Sequence, residues 1–298
     1  MPRHVLVTTN CQTAGIAATL RACLPGAEVT ARFLATPQDA ASTEALAALV
    51  AQADAWVLPA GHKPWLAEPP FAELVAGKQV VHVPQVGFDA FHPDLVYVRD
   101  RRTGGIVKPD YHSRLVIRAW ELGVAAERVP LLFTEPVMRA LGYCNRWAGA
   151  QAALKMHFDA SCLDFASFFL AAKRLGVFMH SINHPAVEIT TLLGKMVALR
   201  LGVPGAVMAR PLPLPDPLLP LVVWPVHPPI AHALGVPGSD NWAIGHDSFD
   251  LPGYIAYAYA GYAACGASPD DMAWARPELG PPPDVLDAVM LDALGGHW

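Results

Sequence analysis

A single cysteine, Cys11, sits between Asn10 and Gln12, where an apolar β-branched run gives way to a helical pattern carrying Ile16, Leu20 and Leu24 on one face. A thiol attacks as its thiolate, and the amides and positive dipole at a helix start favour that form, so the turn is expected to lower the pKa of Cys11. Asn10 is expected to cap the helix, and the amides of Cys11 and Gln12 to receive the charge of a tetrahedral intermediate. A second group, VFMHSINHP, brings His180, Asn183 and His184 ahead of another apolar helix. Imidazole titrates near working pH, so either histidine suits a general base and the other an orienting role. A third, KPDYHSR, places Tyr111, His112 and Ser113 at a helix entrance, where side chains and free amides can hold an anion or a sugar hydroxyl. The bland readings are a buried cysteine, structural histidines, and capping of that third helix by Asp110.

These groups must be positioned by an α/β frame. Strands are predicted from Val5, at Ala27–Leu34, at Ala53–Leu58 and at Gln79–Val83. Between them lie helices after Cys11, after the Thr36-Pro37-Gln38-Asp39 start signal, and at Phe71–Ala76. The alternation predicts a parallel sheet with flanking helices, of flavodoxin or SGNH-like type, with ligands gathering beyond the carboxyl ends of its strands.

From Val137 to Gly202 the pattern is helical, with Asp164 inside a run from Leu154 to Leu175 and a helix at Val187–Leu201. Residues 203–237 are proline-rich and apolar, which predicts an extended strap with no regular helix. Gly253–Cys265 reads as a close-packed helix, and the tail from Pro277 as surface. The expected division is an α/β domain over 1–135 and a mainly helical part over 136–298 packed against it.

Composition narrows the function. With 298 residues, 53% hydrophobic and 16% charged, the chain is long enough to bury a sizeable core and is not a disordered one. A net charge of −5 with no basic run argues against nucleic acid. Five dispersed cysteines without a C-x-x-C pair argue against disulfides and a zinc site, and no H-x-x-x-H or H-E-x-x-H spacing falls on a predicted helix, so no metal is expected. No stretch approaches the length of a membrane span, and the chain reads as cytoplasmic.

The motifs NCQ after a strand, F-x-x-FHPDLVYV, DYHSR opening a helix and VFMHSINHP before another, in that order, resemble those of the WcbI-type polysaccharide biosynthesis enzymes over about Val5 to Leu201. One departure is Thr9, where the family pattern usually has glycine. The resemblance implies a coenzyme A-dependent acetyltransferase acting on capsular polysaccharide, with acetyl-CoA as acyl donor and a carbohydrate acceptor. It implies a site made of Asn10, Cys11, Gln12, Tyr111, His112, Ser113, His180, Asn183 and His184. With no phosphate loop in the sequence, Arg114 and Arg118, one helical turn apart, are candidate contacts for the CoA phosphates, and Lys173 and Arg174 are others. The alternatives are an esterase or thioesterase with Cys11 where SGNH enzymes place serine, and a non-catalytic module that binds CoA or a sugar nucleotide.

Overall fold

The computed structural model describes residues 1–33, 40–108, 110–266, 268–275 and 279–297. The chain runs through β1 (His4–Thr9), α1 (Thr13–Cys23), β2 (Glu28–Phe33), α2 (Ala40–Gln52), β3 (Ala55–Pro59), α3 (Phe71–Leu74) and β4 (Gln79–Val83). It continues with β5 (Leu95–Asp100), β6 (His112–Ser113), α4 (Arg114–Glu121), α5 (Glu135–Ala140), α6 (Trp147–Asp159), α7 (Phe165–Lys173) and α8 (Val187–Arg200). It ends with β7 (Val222–Val223), α9 (Pro228–Leu234), β8 (Trp242–Ile244), β9 (Asp247–Phe249), α10 (Leu251–Ala264), β10 (Met272–Ala275) and α11 (Pro283–Ala293).

Two compact units result, each assembled from two segments: residues 1–87 with 151–220, and 88–150 with 221–298. The stretch 1–135, expected to form one domain, is shared between them. Among the described residues no helix is long and apolar enough to cross a membrane.

The first unit holds the expected parallel sheet, in the order β2-β1-β3-β4. Val5, Leu6 and Val7 of β1 and all of β3 are buried, as central parallel strands covered on both faces must be. Strand alternation turns Leu6, Trp56 and Leu58 to one face, where they pack with Leu46 and Val50 of α2. The start signal Thr36-Pro37-Gln38-Asp39 lies outside the described residues. The chain leaves β1 towards β2 and returns across it to β3, so the carboxyl end of β1 is a topological switch point.

A reciprocal contact docks α8 on α1. A Cβ built on Gly15 would stand 2.3 Å from Thr190 Oγ1, and one on Gly194 would stand 2.4 Å from Thr19 Cβ. Each glycine admits the other helix's threonine. Because 15 meets 190 and 19 meets 194, the helices run parallel and start at the same end.

The second unit joins two small sheets, β10-β5-β6 and β7-β8-β9, to α4, α10 and α11. Its core includes Trp224, Trp242 and Tyr254, the last two stacked with centroids 4.4 Å apart. The proline-rich stretch departs from the expected strap. Residues 203–220 belong to the first unit and 221–237 to the second, where Pro228 and Pro229 open α9 rather than exclude a helix. The first turn of a helix uses no amide hydrogen there, so proline fits. The run Leu154–Leu175 is broken into α6 and α7, with Asp164 accepting from Ser167 N–H as the N-cap of α7. The tail is not all surface either, since α11 buries Leu286 and Met290.

Candidate functional site

At the end of β1 the main chain turns on Asn10. Its carbonyl accepts from Thr13 N–H at 3.0 Å, and its side chain accepts from Gln12 N–H at 3.1 Å. Asn10 therefore shapes the turn without capping α1, which has no side-chain cap. Thr9, the departure from glycine, is accommodated because its hydroxyl pairs with that of Thr13 at 2.8 Å. Gln12 is buried, and its amide clamps Val86, donating to the carbonyl at 2.8 Å and accepting from the N–H at 3.4 Å. Its side chain ties the turn to the loop beyond β4.

Residues 178–186 form a loop closed on itself: His180 N–H donates to the His184 carbonyl at 2.7 Å, and Ala186 N–H to the Phe178 carbonyl at 3.0 Å. Near its tip the Ser181 hydroxyl donates to Asn183 Oδ1 at 3.2 Å. The two motifs, 172 positions apart, meet here: Cys11 Sγ donates to the Asn183 carbonyl at 3.4 Å. The parallel docking of α1 and α8 explains the meeting, because each motif sits just before the start of one of those helices.

Asp216 is the member that sequence reasoning missed. It comes from PLPLPDPLLP, the stretch expected to be a bare strap, and its Oδ2 lies 2.8 Å from His180 Nε2. The same oxygen accepts from Val187 N–H at 2.9 Å, and Oδ1 from Leu218 N–H at 2.9 Å. One carboxylate thus holds an imidazole and tethers the start of α8. The available signal was a lone acid between two prolines in an otherwise apolar run.

The electrostatics correct one expectation. Burial pushes the Cys11 thiol up to about 11, outweighing the opposing pull of its own amide and that of Gln12. Desolvation disfavours a thiolate more than a helix start favours it. Burial also drives His184 down to about 4, helped by neighbouring His180 and opposed by Asp216. Burial acts upward on Asp216, yet His180 and the amides of Leu218 and Val187 hold its carboxyl below its ordinary value. At neutral pH the loop therefore presents a protonated thiol, an uncharged His184 and an ionised Asp216 on His180.

The remaining expected residues belong to the second unit. His112 is buried with both ring nitrogens engaged, Nδ1 with the Tyr262 hydroxyl and Nε2 with the Val107 carbonyl, each at 3.1 Å. Ser113, not Asp110, caps α4 by accepting from Val116 N–H, while Asp110 pairs with Lys108. His112 and Ser113 thus serve the fold, because their polar atoms are satisfied inside the unit. Tyr111 is half-buried against Tyr97, with ring centroids 5.0 Å apart. Arg118 is claimed by Asp287, which accepts from both Nε and Nη2 at 2.7 Å, and by Glu121, so it is not the open phosphate contact expected. Arg114 is buried.

The chain matches the family model described as "Polysaccharide biosynthesis enzyme WcbI" over residues 4–206. No curated protein matches it. Among solved structures it is similar to one of WcbI, described as a novel polysaccharide biosynthesis enzyme in its native form without a disulfide bond between CoA and one of its cysteines. That likeness has a TM-score of 0.70 at 14% identity and covers 99% of this chain and 98% of the other. At that identity the structural likeness supports the α/β fold, whereas the family model spans most of the chain, including the cysteine turn and the histidine loop. The chain belongs to the WcbI family of polysaccharide biosynthesis enzymes.

Proposed function

We propose that this enzyme transfers an acyl group, acetyl in the simplest case, from coenzyme A to a sugar hydroxyl, with Cys11 as the nucleophile. The observation that carries the reading is the junction of Cys11 Sγ with the Asn183 carbonyl, in the same closed loop as a histidine held by Asp216. Supporting it is the description of the WcbI structure, which names CoA together with a cysteine of that protein.

A thiol near 11 is almost wholly protonated at pH 7, so attack needs a base in the same step. His180 suits that task. With Nε2–H donated to Asp216, its neutral tautomer carries the lone pair on Nδ1. As sulfur attacks the thioester carbonyl, the thiol proton passes to His180. When the intermediate collapses, the CoA sulfur leaves with that proton and Cys11 is acylated. The sugar hydroxyl then attacks, giving its proton to His180 and through it to the departing Cys11 sulfur. One thioester is exchanged for another, so the first half costs little driving force. For a developing oxyanion the uncharged His184 and the Cys11 amide are the candidate dipoles, since the Gln12 N–H is already given to Asn10 Oδ1.

Incubation of the whole protein with acetyl-CoA, without acceptor, tests the covalent step by intact-mass measurement. The expected result is a gain of one acetyl group that Cys11→Ala abolishes. An unchanged mass in the wild type, with transfer still occurring when acceptor is added, overturns the acyl-cysteine.

A further inference from the structure

The second unit contains a cavity of about 410 Å³, within the range of small-molecule sites, and none of the residues of the cysteine turn or the histidine loop lines it. Its walls include Arg114, Trp274, Met272 and Leu286. Arg114 is only 3% exposed. Its Nε is buried without a hydrogen-bond partner among the described residues, and its guanidinium carbon stands 5.8 Å from the centre of the Trp274 ring. The main chain at Gly280 presses so close that an added Cβ would lie 2.5 Å from Arg114 Nη1.

A buried guanidinium normally has a carboxylate against it. Among the described residues, Glu121 and Asp287 are committed elsewhere. Glu121 accepts from Arg118 at 2.9 Å and from Trp274 Nε1 at 2.9 Å, and Asp287 accepts twice from Arg118. Asp89 is paired with Arg146, and Asp94 accepts from Leu115 N–H and the Tyr143 hydroxyl. The lining residues Arg101 and Asp270 are exposed to solvent and offset one another in sign. Among the described residues Arg114 is thus left as a planar, forked donor whose Nε has no hydrogen-bond partner, beside an indole wall, in a space large enough for a hexose. Such a fork matches the geometry of carboxylate and phosphate groups.

We propose that this cavity binds a small molecule through an oxyanion, carboxylate or phosphate, seated on Arg114 with the body of the ligand against Trp274. For a polysaccharide enzyme the two sources of such a group are an acidic sugar and a sugar phosphate. The assignment does not depend on Cys11 being acylated.

Calorimetric titration of the full chain with D-glucuronate, glucose 1-phosphate and glucose tests it and separates the sources. At least one charged sugar is expected to bind with a Kd of about 1 mM or tighter, and neutral glucose at least about tenfold more weakly. Preference for glucuronate assigns a carboxylate, and preference for glucose 1-phosphate a phosphate. Arg114→Gln and Gly280→Ala are each expected to weaken the preferred ligand about tenfold, the second by displacing the guanidinium while leaving its charge. If Arg114→Gln does not fold, Gly280→Ala and the comparison of the three sugars on the wild type decide. Charged sugars binding no better than glucose, or an affinity unchanged in Gly280→Ala and in any folded Arg114→Gln, overturn the proposal.

Discussion

The sulfur of Cys11 is governed by a contest between two local effects, and its position in the turn favours one while its burial favours the other. With burial ahead, the thiol behaves as an acid of pKa about 11. Alkylation of Cys11 by iodoacetamide is therefore expected to be slow at pH 7 and to rise about tenfold per pH unit up to that region. A rate that levels off between pH 7 and 8 would mean that the helix start wins after all. In the proposed mechanism Asp216 acts through His180, and Asp216→Asn tests this. The single amide oxygen can keep the Leu218 N–H or the Val187 N–H but not both, and the charge that holds the imidazole is gone. Acyl transfer is expected to fall about 10²- to 10⁴-fold with a displaced pH profile, in line with removal of the orienting acid from other catalytic histidines. Steady-state rates across pH check this, and an unaltered profile would leave Asp216 as a tether of α8 alone.

Between elements, the pairing of α1 with α8 does the positioning. Thr19 and Thr190 each turn their hydroxyl to a backbone carbonyl of their own helix, Gly15 and Val187 respectively, and the space left by the facing glycine is filled by the Thr19 Cβ at Gly194 and by the Thr190 hydroxyl oxygen and Cβ at Gly15. Gly15→Ala and Gly194→Ala each force an overpacked crossing, expected to cost about 1–3 kcal/mol. Urea denaturation measures the loss. Gly26→Ala serves as the control, since a Cβ there meets nothing within 4 Å. Because the crossing also sets where Cys11 and Asn183 meet, the first two variants are expected to lose acyl transfer beyond their loss of stability. Activity that follows the folded fraction alone would show that the junction tolerates a shifted helix.

At the scale of the molecule, both units carry a histidine that burial holds near pKa 4, His184 in the first and His112 in the second. An unfolded histidine titrates near 6.5, so below that value the unfolded chain takes up protons that the native state refuses. Stability is thus fully present above about pH 6.5, falls as pH drops towards 4, and levels off below it. Each group contributes roughly 3 kcal/mol to this dependence. Urea midpoints at pH 7 and pH 4.5 test it, with His112→Gln expected to flatten the dependence. Equal midpoints at the two pH values would show that His112 and His184 are charged at little cost in the native protein.

What could be read from the letters alone was local. Gln79–Val83 is a strand of the length expected because an apolar β-branched run stopped by Pro84 leaves the backbone few choices. Cys11 lies at a strand-to-helix turn because strand and helix periodicities abut there, and the ordered motifs carried the family. Side-chain environment was not legible in this way. The pKa of Cys11 depends on solvent excluded by packing, and the roles of His112 and Ser113 depend on Tyr262, Val107 and Val116, partners that no local pattern names. Asp216 reaches His180 across 36 positions of chain, and Gly15 and Gly194 read as small residues until their helices cross. Sequence by itself determined the elements and the reactive groups they carry, because both follow from covalent chemistry and short-range periodicity. Tertiary structure alone decided which groups meet, which are desolvated and which are spent on the fold, because burial and long-range hydrogen bonds exist only once the chain has packed.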